Sequence, residues 1–121
     1  MGVEPEAADD AYRTWKTGSI QALETSPTTL ADGVRTTHVG QRNFEVMVTN
    51  HLVDDIVTVT EDQIADAARV AWTRLRLALE PTGALPLAAY LAGKLPGGRT
   101  GLVLSGGNAN FQTVARLLNT A

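Results

Sequence analysis

The chain has 121 residues, a net charge of −3 at pH 7, 44% apolar residues and 19% charged residues. This length suits one domain, and the composition is typical of a globular protein. Without a clustered basic face we expect no nucleic-acid partner, and no apolar run reaches the ~18 residues of a membrane-spanning helix. The absence of cysteine excludes disulfides, thiolate metal sites and cysteine nucleophiles, and it agrees with a cytoplasmic protein.

The first third of the chain predicts a strand, a helix and a long loop. Residues 2–5 resemble the end of a strand and its exit turn. Pro5 suits the first position of a helix, where its missing N–H costs nothing, so we expect a helix over residues 6–16 with Gly18 as its C-cap. Residues 19–40 are rich in Thr, Ser, Pro and Gly, which predicts a loop long enough to be functional or disordered.

The middle of the chain predicts two helices around one strand. A helix capped by Asn43 is expected to run to about residue 51. Residues 56–59 form a short β-branched run that predicts a strand. Thr60 and Gln63 have the spacing of a capping box, which predicts an amphipathic helix over residues 61–79.

The last third predicts a helix, a buried strand and a final helix. The Glu80-Pro81 step ends the preceding helix because a residue before proline disfavours helical geometry. We expect Thr82 to cap a helix that runs to about Lys94. Residues 100–104 predict a buried strand, and residues 105–108 a tight turn into the last helix. This order of elements predicts the α/β class, and two strands alone would leave unpaired edges whose partners belong to a larger protein.

The Ser105-Gly106-Gly107-Asn108 turn is the first candidate for a binding site. Ligands of open α/β sheets lie beyond the carboxyl ends of strands, and two glycines let a backbone approach a flat ligand closely. The same pattern is also that of an ordinary strand-to-helix turn with a capping serine. The turn lacks the Lys-Ser/Thr ending of a P-loop and the third glycine of a dinucleotide fingerprint.

Carboxylates supply two further candidates. Glu80 lies between two apolar helices, where partial burial would suit a functional site, but from its chemistry alone a cap of the following helix or a place in solvent explains it better. Glu4 and Asp10 flank the start of the first helix, where oxygen ligands could hold Mg²⁺ or Ca²⁺. Acidic residues at a helix start are also explained by the helix dipole alone.

Six segments together resemble the C-terminal part of the fold-type II pyridoxal phosphate (PLP) enzymes, in the serine racemase and threonine/serine dehydratase branch. In chain order they are residues 2–5, 29–36, 52–56, 60–62, 80–84 and 104–108. The resemblance covers nearly the whole chain. It implies a single partial domain over residues 1–121, the C-terminal part of a three-layer α/β/α large domain like that of the tryptophan synthase β subunit.

The resemblance implies a role for each matching residue. Ser105 would face the pyridine nitrogen of PLP, and its neutral hydroxyl would leave the ring a weaker electron sink, which suits β-elimination. The other implied PLP contacts are Asp32, Gly33, Glu80, Gly106, Gly107 and Asn108. A divalent cation, Mg²⁺ or Ca²⁺, would bind the carboxylates of Glu4 and Asp10 and the backbone carbonyl of Ala8.

The resemblance also shows what this chain lacks. The Schiff-base lysine of the family lies in a Ser-x-Lys-x-Arg-Gly-Ala motif, and Lys16 and Lys94, the two lysines here, stand in no such motif. We therefore assign no catalytic residue. The resemblance implies a fragment of a serine/threonine ammonia-lyase that is homodimeric when complete, or of a serine racemase. A non-catalytic truncated module remains an alternative, whereas a cysteine-synthase-like enzyme is disfavoured by the Ala-Asp-Gly and Glu-Pro-Thr-Gly-Ala segments.

Overall fold

A computed structural model describes residues 1–119 of the chain. Within these residues, strands β1 (Gly2–Pro5) and β2 (Ile56–Val59) pair in parallel, with Gly2 opposite Ile56. The helices, in chain order, are α1 (Asp10–Thr17), α2 (Gln41–Phe44), α3 (Glu61–Val70), α4 (Leu85–Leu91) and α5 (Phe111–Asn119). Helices α2 and α3 continue as π-helical turns (Glu45–Thr49 and Ala71–Leu75), and 3-10 turns occupy Asp32–Val34 and Pro81–Ala84.

The core lies where α3 and α4 pack together and α4 contacts both strands. Small side chains let these elements approach closely, and Ala67, Ala71, Ala84 and Ala89 are all fully buried. Ile64 is the largest fully buried side chain among them. The burial of these apolar side chains holds the segment after α3 in place. That segment contains the 3-10 turn Pro81–Ala84, which forms one side of the candidate site.

Several local predictions are confirmed. Strand β2 has the predicted bounds, and Gly18 ends α1 in the left-handed conformation with φ 69°. The capping box is complete: Gln63 N–H donates to Thr60 Oγ1 at 3.2 Å, and Thr60 N–H donates to Gln63 Oε1 at 3.0 Å. Each of these features depends on residues within four positions of one another, which is why a local pattern predicts them.

The predicted start of the first helix is wrong. Pro5 is the last residue of β1, and α1 begins at Asp10. Glu6 N–H donates to the Val59 carbonyl at 2.9 Å, which keeps the chain bonded to β2 where the sequence predicts a helix. Ala8 N–H then donates to the Pro5 carbonyl at 3.0 Å, so residues 6–9 form a turn that redirects the chain into α1.

The bounds of the next two helices also differ. Helix α2 begins at Gln41 after Gly40, so Asn43 lies inside the helix and does not cap it. The helix begun by the capping box ends at Leu75, four residues early, because the chain turns at Arg76 with φ 60°. Leaving the helix there buries Leu79, which is 3% exposed. The Leu79 carbonyl accepts a hydrogen bond from Trp72 Nε1 at 2.7 Å.

The remaining differences lie after Glu80. Residues 81–84 form a 3-10 turn, and α4 ends at Leu91, short of Lys94. The final helix begins at Phe111, where Asn110 Oδ1 accepts the Gln112 N–H at 2.9 Å.

The predicted strand over residues 100–104 is not formed. In the described part of the chain these residues have no pairing partner, and Val103 is 81% exposed. Among residues 1–119 no helix combines the length and apolarity that a bilayer crossing demands.

Candidate functional site

Three distant segments meet at one place on the fold. The turn at Gly33 donates its N–H to Thr82 Oγ1 at 3.0 Å, across 49 positions of sequence. Glu80 N–H donates to the Gly106 carbonyl at 2.8 Å. Backbone and side-chain bonds therefore join the Asp32–Val34 turn, the 3-10 turn after α3 and the turn at residues 105–107.

Glycine is required at the contact between the last two segments. A Cβ on Gly83 would lie 1.9 Å from the Ser105 carbonyl oxygen, a distance that no side chain can accept. Gly106 has φ 76°, and a Cβ there would lie 2.6 Å from Cγ of Glu80. The absence of both side chains lets the backbone at Ser105 lie directly on the 3-10 turn.

Ser105 lines a cavity formed by the described residues. This cavity has a volume of about 510 Å³, and Ser105 shares its wall with Val34 and Thr82. The Ser105 side chain is exposed, and within the described residues its hydroxyl makes no hydrogen bond. A hydroxyl held by a clamped backbone and without a protein partner is available to bond a ligand in this cavity.

The other predicted PLP contacts do not all line that cavity. Asp32, Glu80 and Asn108 line a second cavity of about 260 Å³, whose wall also includes Arg35. Gly33 lines a third cavity together with Glu4 and Asp10. Gly106 and Gly107 line none of these three cavities. Ser105 and Glu80 lie on either side of the contact between the 3-10 turn and the turn at residues 105–107, and they line different cavities.

The predicted cation ligands lie around the start of α1. The Glu4 carboxylate accepts the N–H of Tyr12 at 2.8 Å and that of Ala11 at 3.3 Å. These are first-turn amides that have no partner inside the helix, so Glu4 stabilises α1 and ties it to β1. Glu4 and Asp10 line one cavity of about 340 Å³, with His38 nearby on the same wall.

The environment of both carboxyls disfavours negative charge. Burial raises the pKa of Glu4 to about 7, although the hydrogen bond from Tyr12 N–H opposes this shift. Burial also raises the pKa of Asp10, which is 2% exposed. Asp10 Oδ1 is buried without a hydrogen-bond partner. Across residues 1–119, however, no three His, Cys, Asp or Glu side chains are grouped as a metal site.

Sequence reasoning misses two residues that organise this site. Thr82 is predicted to cap a helix, yet its side chain holds Gly33. Gly83 belongs to one of the matching motifs, but nothing in that motif predicts its contact with Ser105. Local sequence offers no signal for either contact, because each partner lies more than twenty positions away.

Neither lysine lies at the candidate site. Lys94 Nζ donates to the Thr58 carbonyl at 2.7 Å and lies 3.8 Å from the Glu6 carboxylate. Lys16 Nζ lies over the rings of Tyr12 and Trp15, 5.5 and 5.1 Å from their centroids. Both lysines have structural contacts of their own, and neither lines the three cavities described above.

Comparison with known proteins identifies the family. Residues 1–106 match the profile of the pyridoxal-phosphate dependent enzymes. The chain belongs to this family. The predicted fold class is confirmed as well, since the family's solved structures share this arrangement of helices around a parallel sheet.

The curated relatives of this chain include ammonia-lyases and racemases. The chain is 40% identical to L-threo-3-hydroxyaspartate ammonia-lyase of Pseudomonas sp, over 97% of this chain and 36% of that protein. It is 38% identical to serine racemase of Schizosaccharomyces pombe, over 98% of this chain and 36% of that protein. The chain thus spans about a third of the length of the curated relatives it matches.

Solved structures place the chain in the same branch, as predicted. The T.th. threonine deaminase superposes with a TM-score of 0.84 and 50% identity, over 91% of this chain and 40% of that one. Maize serine racemase gives a TM-score of 0.80 and 34% identity, over 93% of this chain and 35% of that one. Both matches cover more than nine-tenths of this chain and leave most of each relative outside it.

Replacement of Gly83 tests the backbone contact at Ser105. We expect Gly83→Ala to lower the free energy of unfolding by about 1–3 kcal/mol or more, because its Cβ forces the Ser105 backbone off the 3-10 turn. Urea unfolding followed by circular dichroism measures the loss. Gly97→Ala is the matched control, since a Cβ there meets open space. Equal unfolding midpoints for the two variants would contradict the contact.

The raised pKa of Glu4 predicts a dependence of stability on pH. The folded chain protonates Glu4 near pH 7, whereas the unfolded chain does so near pH 4.5. The folded state therefore binds more protons between these values, and its stability falls as pH rises from 4.5 to 7. We expect Glu4→Gln to reduce that fall by on the order of 1–2 kcal/mol, a value discounted for solvent screening.

Unfolding of both chains in urea at several pH values, with a chelator present, measures this difference. Glu24→Gln is the control because Glu24 is exposed in the loop. A wild-type chain that gains stability relative to Glu4→Gln as pH rises through this window would refute the assignment.

Proposed function

We propose that residues 1–121 are one partial domain, the C-terminal part of a PLP-dependent ammonia-lyase for small hydroxy amino acids such as serine and threonine. The observation that carries the proposal is Ser105, which lines a cavity of about 510 Å³ and whose hydroxyl has no hydrogen-bond partner among the described residues. Ser105 is also the residue at which the resemblance to this family implies a contact with PLP. Hydroxyaspartate and threonine enzymes among the relatives support the choice of substrate class.

The residues present fit a flat heteroaromatic cofactor. The clamp at Gly83 and Gly106 keeps the Ser105 backbone from shifting when its hydroxyl bonds a ring nitrogen. A serine hydroxyl is neutral and has a pKa far above that of a pyridinium, so Ser105 can bond the nitrogen without holding it protonated. When bound, PLP would withdraw electrons from Cα of the substrate and so allow loss of its proton and its β-hydroxyl group.

Glu80, Asp32, Gly33, Gly106, Gly107 and Asn108 are proposed to border the cofactor together with Ser105. Their support is the hydrogen-bonded junction of the three segments that contain them. Glu80 and Asp32 line one cavity beside this junction and supply carboxylate oxygens that can accept hydrogen bonds there. Asp32 is exposed in this chain and Glu80 is partly buried, so both can respond to a ligand without a change of fold.

Serine racemase activity is the second candidate. Its support is the set of racemases among the relatives, including that of Schizosaccharomyces pombe. Both reactions begin with loss of the Cα proton, and they differ in whether the proton returns to the opposite face or the β-hydroxyl leaves. No described residue of this chain is assigned as the base for that opposite face.

A non-catalytic module is the third candidate. Its support is that both lysines are engaged away from the site, Lys94 on β2 and Lys16 on aromatic rings. A test in which a complementary chain supplies the lysine separates this candidate from the first two.

Two further properties of the complete protein stay predictions. They are a homodimeric state and a cytoplasmic location, the latter supported by the absence of cysteine.

We also propose a divalent cation at Glu4, Asp10 and the Ala8 carbonyl. The support is the shared cavity, the raised pKa of both carboxyls and the buried, unpartnered Asp10 Oδ1. A hard cation would supply the compensating charge that these oxygens lack. Because Glu4 already joins β1 to α1, the ion would reinforce that junction and take no part in chemistry on substrate.

Complementation tests the enzyme proposal. We would mix the chain with the lysine-bearing portion of the T.th. threonine deaminase, add PLP, and measure visible absorbance and 2-oxo acid formation from serine and threonine. We expect both signals, and a loss of rate on the order of ten-fold or more with Ser105→Ala because one cofactor hydrogen bond disappears.

Ser26→Ala is the matched control, since Ser26 is exposed in the loop. Chiral analysis of the remaining serine separates racemase from lyase. A stable complex that binds no PLP and forms no product would leave the non-catalytic module as the function.

Addition of Ca²⁺ or Mg²⁺ at pH 7.5 tests the cation proposal. We expect millimolar ion to raise the Tm of the chain by about 2–5 °C, because binding to the folded state alone stabilises it. Glu4→Gln should lose this increase and Glu24→Gln should keep it. An equal increase in both variants would show that the ion binds elsewhere.

A further inference from the structure

Glu61 joins the start of α3 to the loop that contains the Asp32–Val34 turn. Its Oε2 accepts the Leu30 N–H at 2.7 Å, across 31 positions of sequence. The cap of α3 is supplied by Thr60, whose side chain accepts the Gln63 N–H, so the helix does not need Glu61 for that purpose. Within the described residues the Glu61 carboxylate bonds a backbone amide of another segment and none of its own helix.

The second oxygen of this carboxylate is kept from water. Glu61 Oε1 is buried and has no hydrogen-bond partner among the described residues. Burial of a carboxylate oxygen without a partner costs free energy. An exposed carboxylate would complement the helix dipole equally well, as Asp62 does on the same turn. The bond to Leu30 therefore explains the burial of Glu61 better than stabilisation of the helix does.

A second bond anchors the same loop a few residues later. Gly33 N–H donates to Thr82 Oγ1 at 3.0 Å. Between the two anchors, Ala31 is fully buried, and its N–H donates to Thr29 Oγ1 at 3.2 Å. The backbone is thus fixed on both sides of Asp32, while the Asp32 side chain stays exposed.

The loop forms part of a cavity at the candidate site. Thr29, Leu30 and Asp32 line the cavity of about 260 Å³ whose wall also includes Glu80. A shift of the backbone at Leu30 would carry Asp32 with it and change its place relative to Glu80. Glu61 does not line this cavity, so it acts there only through the loop.

We propose that Glu61 is a positioning residue of the candidate cofactor site. The inference rests on the proposed function, in which Asp32 and Gly33 border PLP. The Glu61–Leu30 bond and the Thr82–Gly33 bond act together as a clasp that holds the loop in its binding position before PLP arrives. A loop that is already ordered loses less entropy on binding. Loss of the clasp therefore weakens PLP binding although no cofactor contact is removed.

Hydrogen exchange in the chain alone tests the clasp. Glu61→Ala removes the acceptor of the Leu30 N–H, so we expect that amide to exchange about ten-fold faster or more, and the Gly33 amide to exchange faster as well. Glu61→Gln keeps an acceptor oxygen and should retain most of the protection. Asp62→Ala is the matched control, because Asp62 is an exposed carboxylate on the same turn and makes no hydrogen bond or ion pair among the described residues.

Exchange at Gln63 distinguishes opening of the loop from loss of α3. The Gln63 N–H is bonded to Thr60 and does not involve Glu61, so we expect Glu61→Ala and Asp62→Ala to change its exchange equally. Glu61→Asp is a second variant that keeps the negative charge at the helix start, while its shorter side chain does not reach Leu30. We expect the Leu30 amide to exchange faster in Glu61→Asp too, even if Glu61→Ala fails to fold.

PLP affinity of the assembled protein tests the role at the site. We would mix the chain or each variant with the lysine-bearing portion of the T.th. threonine deaminase and titrate PLP, following the visible absorbance of the bound cofactor. We expect Glu61→Ala and Glu61→Asp to weaken PLP binding about three- to ten-fold. Glu61→Gln should weaken it less than about two-fold, and Asp62→Ala should leave it unchanged.

A double-mutant cycle tests whether Glu61 acts through the loop. Thr82→Val removes the hydroxyl that bonds Gly33 and nearly preserves the volume of the side chain. Because either single variant opens the same loop, we expect Glu61→Ala combined with Thr82→Val to weaken PLP binding by less than the product of the two single effects. Single effects that multiply, or a double effect beyond their product, would overturn the clasp.

The two measurements separate this inference from the proposed function. A wild-type complex that binds no PLP contradicts the proposed function, and exchange at Leu30 and Gly33 still decides whether the clasp exists. A complex that binds PLP equally well with every Glu61 variant supports the enzyme and overturns Glu61 as a positioning residue. Exchange at Leu30 that Glu61→Ala and Asp62→Ala change equally overturns it as well.

Discussion

The close approach of the Ser105 backbone to Gly83 is the contact on which the candidate site depends. It brings the carbonyl of Ser105 onto the 3-10 turn at a distance that only glycine permits. The Glu80 N–H bond to Gly106 holds the same contact from the neighbouring residue. The 3-10 turn also binds the backbone N–H of Gly33 through the Thr82 side chain, so three segments of the chain meet at one junction.

Packing of α3 against α4 gives that junction its rigidity. The helices meet through alanines, and the chain that follows the π-helical turn after α3 is anchored by the buried side chain of Leu79. The buried Leu79 leaves little freedom to the 3-10 turn that follows it. Stability of the helical core and geometry at Ser105 are therefore coupled, and the core residue Leu85 lines the same cavity as Ser105.

The two outer edges of the sheet differ in how their backbone groups are bonded. Lys94 and Asp55 satisfy backbone groups on the outer edge of β2, whereas within the described residues nothing bonds the outer edge of β1 at Val3. An unpaired backbone edge beside an apolar cavity is unfavourable in water unless another segment covers it. Glu4 strengthens the opposite end of β1 by bonding the first amides of α1.

The sequence by itself determined the features whose interactions are local: the capping box at Thr60, the glycine cap of α1 and the bounds of β2. The order of the short motifs also predicted the family, because that order is a property of the linear sequence. Only the tertiary structure decided where α1 begins, which partner Thr82 takes and why residue 83 is glycine. These depend on contacts across twenty to fifty positions, as with Gly33 and Thr82. The apolar run at residues 100–104 has the pattern of a buried strand, yet among the described residues no segment pairs with it, and pairing is a tertiary property that a local pattern does not contain.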